Sequence, residues 1–230
     1  MLFLAREGKT LFLRLFVTLF IAINIFVAYL SAAEIYCGEI KITPAADGAG
    51  PWDYSDSKNI TNGNRALVEN EHFTTNVENL VRGKTTLSPL PDLEYTVYRF
   101  PNHHRALWAL SRFQRKNKGT LPTRSVSSFA KHVECYFEKA TIFKPRDGVV
   151  QMLYAMHLHM SGDMDLAEQR YKIAEKMLPE SSELAYNFGL FYFEIKNYGA
   201  ALEYAKKAYG TGYPMLGLRT KLEKVGEWQD

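Results

Sequence analysis

Cysteine is scarce in this 230-residue sequence, which contains only Cys37 and Cys135. Two thiols without histidines beside them are too few for a zinc site. The sequence also lacks a Gly-x-Ser-x-Gly nucleophile motif, and the glycines at residues 48–50 lack the lysine and following helix of a phosphate-binding loop. We therefore assign no catalytic residue, no metal ligand and no cofactor, and we do not expect an enzyme.

An excess of charge of one sign is also lacking. The formal net charge is +3, and the first 33 residues hold three basic residues against one acidic residue. The remainder therefore carries 25 basic and 24 acidic side chains, a net charge of +1. A nearly neutral chain without a basic stripe offers no electrostatic footprint for nucleic acid, so we exclude nucleic acid as a partner.

The N-terminus carries a targeting signal. Three basic residues precede an apolar-rich stretch over residues 15–30, and the small residues 31–33 follow it. This order predicts a signal peptide over residues 1–33, cleaved before Glu34, although an uncleaved anchor is the alternative. The positive flank stays in the cytoplasm. We expect a periplasmic or secreted protein, or, if the segment is retained, one anchored in the inner membrane and facing the periplasm.

Both cysteines lie beyond the predicted cleavage site. An even pair in an oxidising compartment is typical of a disulfide, so we predict a bond between Cys37 and Cys135. In the chain-entropy model, closing so long a loop stabilises the fold by about 4–5 kcal/mol. The alternative is two unpaired thiols, one of them buried.

The remaining pattern predicts an all-α fold. Residues 34–63 are rich in turn-forming residues and predict an irregular segment, which Trp52 and Tyr54 anchor to an apolar surface. Helical periodicity starts near Asn64, and Asn102 is expected to cap a helix that runs to about Lys116. We therefore expect an irregular and helical N-terminal segment over residues 34–101, followed by a domain over 102–230.

The second domain repeats with a period of 34 residues. In residues 148–181, Gly162 lies between two helices, and Ala167, Tyr171, Ala174 and Pro179 follow at the positions of a tetratricopeptide repeat. One period later the sequence has Ala201, Ala205 and Ala208, and one period earlier it has Val133, Phe137, Ala140 and Pro145. Small residues at these positions let antiparallel helices approach closely.

This period predicts a tetratricopeptide-type α-solenoid of about three helical hairpins. The hairpins are expected at about 102–147, 148–181 and 182–215, with a capping helix over 216–227. With the stretches at 37–38, 50–54, 72–74 and 100–107, the sequence resembles exported bacterial tetratricopeptide-repeat proteins, a group without an established activity. That resemblance implies a location and an architecture only.

The first helix of each hairpin in such repeats lines a concave groove. By register, the predicted groove residues are Val149, Met152, Met156, His159, Met160, Glu183, Tyr186, Leu190, Phe193 and Glu194. This apolar, methionine-rich surface suits an amphipathic helix or an extended apolar peptide rather than an acidic chain terminus. We expect a scaffold or adaptor that binds a protein or peptide, as in the assembly of an envelope complex. Two alternatives stay open: a groove that is free, or one filled by the Trp52–Tyr54 segment.

Histidines supply the other functional hypothesis. Neither of the two close pairs, His103 with His104 and His157 with His159, has the four-residue spacing of a helical zinc site. His72 joins His103 or His104 only through tertiary folding. A metal-dependent hydrolase that uses these three residues is therefore kept only as a minor alternative.

Overall fold

The computed structural model describes residues 37–44, 47–122 and 132–229. This part of the chain contains eleven helices and no strand, so the predicted all-α class is confirmed. The predicted signal segment, residues 1–33, lies outside the described residues. Among the helices that are described, none is both long enough and apolar enough to cross a bilayer.

Four helices precede the predicted repeats: α1 (Lys58–Thr61), α2 (Asn64–His72), α3 (Thr75–Glu78) and α4 (Leu90–Arg99). Helix α2 follows Gly63, which adopts a left-handed conformation with φ of 80° that favours glycine. Pro91 lies in the first turn of α4, where its missing N–H is not needed. Leu93 and Val97, four residues apart, bury the face of α4 that packs on the core.

Helices α5 (His104–Lys116) and α6 (Val133–Phe143) follow, and nine residues between them lie outside the described part. The prediction that Asn102 caps α5 is wrong. His103 is the N-cap, and its imidazole accepts a hydrogen bond from the backbone N–H of Ala106. Asn102 is instead fully buried and bridges three segments, because its amide can both donate and accept hydrogen bonds.

Two helical hairpins and a terminal helix complete the chain: α7 (Gly148–Ser161), α8 (Met164–Met177), α9 (Ser182–Glu194), α10 (Tyr198–Gly210) and α11 (Gly217–Lys224). Helix α7 packs along α8, and α9 packs along α10. Gly162, with a φ of 88°, ends α7 in the left-handed conformation that glycine tolerates. Helix α11 packs on both α9 and α10 through buried Leu218 and Leu222.

Small residues occur in the contacts between helices. Ala167 and Ala201 have no exposed surface. A Cβ atom on Gly148 would lie 2.6 Å from Leu178 Cγ, and one on Gly189 would lie 2.5 Å from Leu218 Cδ2. These distances are shorter than a van der Waals contact, so the close approach depends on glycine at both positions.

The predicted disulfide is confirmed. The sulfur atoms of Cys37 and Cys135 are 2.02 Å apart, and their Cα atoms are separated by 5.3 Å. Cys135 lies in the first turn of α6 and is 2% exposed. The bond therefore joins the irregular N-terminal segment to the second helix after residue 102.

Candidate functional site

The predicted groove residues of α7 are mostly inside the protein. Met152 and Met156 are buried in the main core, and Val149 is partly buried against it. Helices α5, α6, α8 and α9 all pack against α7 and cover it. Only the C-terminal end of α7 presents groove residues to solvent, through the partly exposed His159 and through Met160, which is 47% exposed.

The predicted groove residues of α9 are divided in the same way. Tyr186 is buried, and its ring contacts Tyr213, which precedes α11. Leu190 and Phe193 are partly buried, and the Lys221 ammonium lies 5.4 Å from the centre of the Phe193 ring. Glu183 and Glu194 are exposed. The surface of α9 therefore keeps a partly open apolar strip between two carboxylates.

Contacts connect the C-terminal ends of α5, α7 and α9. Arg115 near the end of α5 contacts the sulfur of Met160 on α7. His159 on α7 lies 3.0 Å from the carboxylate of Glu194 on α9, and its ring also meets the edge of Phe191. These side chains form a continuous surface across three helices, and it includes three of the predicted groove residues: His159, Met160 and Glu194.

The Trp52–Tyr54 segment packs elsewhere. Trp52 contacts the ring of Phe100 at the end of α4, and Tyr54 packs against His103 at the start of α5, with tilted rings whose centres are 4.1 Å apart. Asp53 forms an ion pair of 2.6 Å with Lys144, just after α6. In the described residues, the contacts of this segment are with the start of α5 and its surroundings, not with the predicted groove residues.

A polar cluster surrounds the start of α5. Asn102 donates to Asp53 at 2.8 Å and to Asp147 at 2.9 Å, and it accepts from the backbone N–H of Tyr54. His104 contacts both oxygens of Asp147, the N-cap of α7. Burial would raise the pKa of Asp53, but hydrogen bonds from Lys144, Ser55 and Asn102 hold it below its usual value. The cluster fastens the N-terminal segment to the helices that follow it.

His103 is held as a neutral imidazole. Its Nδ1 accepts from the Ala106 amide, so this nitrogen carries no proton, while Nε2 lies 3.0 Å from Glu69 and donates to it. Burial lowers the pKa of His103, because charging an imidazole inside the protein is costly. The hydrogen bond from His103, together with the Arg65 guanidinium, lowers the pKa of Glu69 to about 2.

The histidines of the minor alternative each engage a different carboxylate. His72 pairs with Asp92 at 2.9 Å, His103 with Glu69, and His104 with Asp147. In the described residues, no group of three or more His, Cys, Asp or Glu side chains is placed to hold a metal ion. The geometry therefore gives the metal-dependent hydrolase no support.

Sequence reasoning missed a second polar network, which is inside the core. His157 on α7 is fully buried, with Nδ1 2.8 Å from the Ser111 hydroxyl on α5 and Nε2 3.1 Å from Glu134 on α6. Gln114 donates to Glu134 and accepts from the Val133 backbone. The signal in the sequence was the polar Ser111 and Gln114 on the apolar face of α5. This network joins α5, α6 and α7 inside the core.

Comparison of the chain with family models, with curated proteins and with solved structures finds no match.

Proposed function

We propose that the chain is a scaffold or adaptor of the tetratricopeptide type in the cell envelope, and that it binds a protein or peptide partner. The observation that carries this proposal is the 34-residue spacing between the helix starts of the two hairpins α7–α8 and α9–α10. Asp147 and Ser181, which cap α7 and α9, are 34 residues apart, and so are Asp163 and Asn197, which cap α8 and α10. In each case the side chain accepts a hydrogen bond from the backbone N–H three residues later.

The buried residues of the two hairpins support the same period. Ala167 and Ala201 are equivalent by this spacing, as are Ala174 and Ala208, and all four are fully buried. A small residue at the same point of successive hairpins favours repeated close packing, which is the basis of a solenoid.

An envelope location is supported by two independent features. The sequence of residues 1–33 has the order of a secretory signal. The disulfide between Cys37 and Cys135 is of the kind that persists in oxidising compartments. Analysis of the N-terminus of the exported protein tests this part, because a chain that begins at Glu34 has lost its signal, whereas a chain that retains residues 1–33 is anchored.

The binding surface proposed is the one that joins the C-terminal ends of α5, α7 and α9. It combines an exposed methionine with partly open aromatic and aliphatic side chains, a composition that adapts to apolar peptides. Solenoid repeats present such surfaces to extended or helical segments of their partners.

Site-specific photo-crosslinking in intact cells tests the proposed surface. A photoreactive residue replaces Met160 in one variant and Leu166 in the control, since these side chains are 47% and 44% exposed on different helices, α7 and α8. We expect discrete protein adducts from position 160 and none from position 166. Adducts of equal yield at both positions, or no adduct at position 160, would argue against this surface.

A further inference from the structure

The solvent-facing side of α5 carries a row of cations and one large aromatic ring. Arg105, Trp108, Arg112 and Arg115 follow one another at spacings of three, four and three residues, which places them on one side of the helix. Residues on the other side, such as Leu107, Leu110 and Phe113, are buried in the core and cannot join them. We call these four residues the arginine stripe.

The three arginines of the stripe differ in their counter-charges. Arg105 forms two hydrogen bonds to the carboxylate of Glu78 and lies 3.7 Å from Glu69. Arg112 contacts Glu78 only through the backbone carbonyl, at 2.5 Å, and its Nε is buried without a hydrogen-bond partner. No carboxylate in the described residues forms an ion pair with Arg112, although the Glu78 carboxylate, which is hydrogen-bonded to Arg105, is near enough to interact with its charge.

Arg115 is also without an acidic partner in the described residues. Its guanidinium lies 5.3 Å from the centre of the Trp108 ring and contacts the sulfur of Met160. Partial burial, together with the positive charge of Arg112, lowers the pKa of Arg115. Two partly buried guanidinium groups therefore lie close together, neither with an ion-pair partner in the described residues, and an anion that joined them would stabilise both.

The neighbouring sequence adds positive charge and no negative charge. Residues 112–122 include Lys116 and Lys118 and contain no Asp or Glu. Residues 123–131, the next along the chain, also contain no acidic side chain. Residues 112–131 therefore add positive charge beside Arg112 and Arg115 and supply no counter-ion.

We propose that the partner peptide carries an acidic residue whose carboxylate binds Arg112 and Arg115, beside an apolar side chain that packs on Trp108 and Met160. This inference rests on the proposed binding function and specifies the partner's chemistry. A guanidinium pairs with a carboxylate through two parallel hydrogen bonds, and in the described residues neither Arg112 nor Arg115 forms such a pair. Both arginines are partly buried along α5, which suits an inserted peptide carboxylate better than the flat surface of a membrane.

The test uses the exported, disulfide-bonded chain and two fluorescent 12-residue peptides. One peptide alternates Leu and Phe with Glu, and the other has Gln in place of each Glu. Fluorescence anisotropy measures the binding of each peptide to the unchanged chain, to the double variant Arg112→Gln and Arg115→Gln, and to the control Arg146→Gln. Arg146 is an exposed arginine without an ion pair in the described residues, so it controls for net charge.

We expect the Glu peptide to bind the unchanged chain and the Arg146→Gln control at least about tenfold more tightly than it binds the double variant. The Gln peptide should not distinguish the three proteins. Equal binding of the Glu peptide to all three proteins overturns the inference, as does binding weaker than on the order of 1 mM to the unchanged chain. Circular dichroism shows whether the double variant is folded, and a single Arg115→Gln variant repeats the comparison if it is not.

Two further arms separate this inference from its alternatives. If the double variant loses affinity for phosphatidylglycerol vesicles but not for the Glu peptide, the stripe binds membranes and the inference is wrong. If photo-crosslinking from position 160 is unchanged in the double variant, the scaffold proposal stands and the arginine inference fails. Loss of the adduct in the double variant, with retention in Arg146→Gln, supports both.

Discussion

At the scale of single residues, His103 illustrates how hydrogen bonds fix a protonation state. The backbone N–H of Ala106 donates a hydrogen bond to Nδ1, and the N–H at Nε2 donates a hydrogen bond to Glu69. A second proton on His103 would break the cap of α5, so protonation is coupled to the start of that helix.

This coupling predicts a loss of stability in mild acid. The pKa of His103 is lowered on folding from a usual value of 6.5, so the unfolded chain binds more protons and stability falls as the pH decreases below about 6.5. The pKa of Glu69 falls from 4.5 to about 2, so a second loss follows between these values. Urea denaturation should show a decrease in the free energy of unfolding of up to about 1.4 kcal/mol per pH unit for each proton.

The variant His103→Asn isolates the first of these losses. Asparagine caps helices well but does not titrate, so this variant should lose less stability between pH 7 and pH 5 than the unchanged chain. His132→Asn is the control, because the side chain of His132 forms no cap hydrogen bond at α6. Equal slopes for His103→Asn and the unchanged chain would show that His103 does not cause the loss.

Glycine residues give a second prediction at this scale. Gly148 and Gly199 both lie in the first turn of a helix, but a Cβ on Gly148 would lie 2.9 Å from Met177 Cβ, whereas one on Gly199 would meet nothing nearer than 4.0 Å. We expect Gly148→Ala to lower the free energy of unfolding by about 1–3 kcal/mol through overpacking. Gly199→Ala should raise it by up to about 1 kcal/mol. Urea denaturation of the two variants measures both effects, and a stabilising Gly148→Ala would contradict the close packing of α7 on α8.

At the scale of helices, the caps determine where each element starts. Asp147 and Asp163 both cap a helix through a side-chain hydrogen bond. Asp147 is buried and also holds His104 and Asn102, whereas Asp163 is partly exposed at the turn between α7 and α8. The same residue type therefore contributes differently to stability at the two positions, because its neighbours differ.

We expect Asp147→Ala to lower the free energy of unfolding by about 3 kcal/mol and Asp163→Ala to lower it by about 1 kcal/mol. Both variants lose a helix cap, but Asp147→Ala also leaves buried polar groups without a hydrogen-bond partner. Asp147→Asn, which retains a capping oxygen, should fall between the two. Denaturation midpoints of the three variants test this order, and similar values for both alanine variants would show that the polar cluster adds no stability.

Helix starts and ends were predictable to different degrees. Pro91 in the first turn of α4 and the spacing of its apolar residues are signals that act within a few residues of the chain. The cap of α5 was predicted one residue too early, since Asn102 is a better capping residue than His103 in isolation. Asn102 instead forms hydrogen bonds with Asp53, Tyr54 and Asp147, which are 45 to 49 residues away in sequence.

At the scale of the whole molecule, one covalent bond joins the irregular segment to the helices. Cys37 and Cys135 are separated by 98 positions in the sequence. Disruption of the bond should lower the free energy of unfolding by about 4–5 kcal/mol in the chain-entropy model. Chemical denaturation of the oxidised chain, the reduced chain and the double variant Cys37→Ser and Cys135→Ser measures this loss. The reduced chain and the double variant should agree, and a reduced chain as stable as the oxidised chain would contradict the prediction.

The sequence predicts the candidate surface only in part, because neighbouring helices cover some of the predicted groove residues. Register identified residues that face one side of α7 and α9, but it gave no account of what covers them. Helices α5, α6, α8 and α9 bury Met152 and Met156, whereas His159 and Met160 at the end of α7 remain accessible. The sequence does not single out the arginine stripe, because only the contacts show which of its arginines lack an ion pair.

Local chemistry in the sequence determined the helical class, the 34-residue period and the cysteine pair, since each follows from side-chain spacing along the chain or from the number of thiols. The tertiary structure alone decided which polar residues form hydrogen bonds between helices in the core. It also decided which predicted groove residues stay exposed and which arginines lack an ion pair. Burial and ion pairing depend on groups that are distant in sequence, and no short-range pattern records where those groups meet.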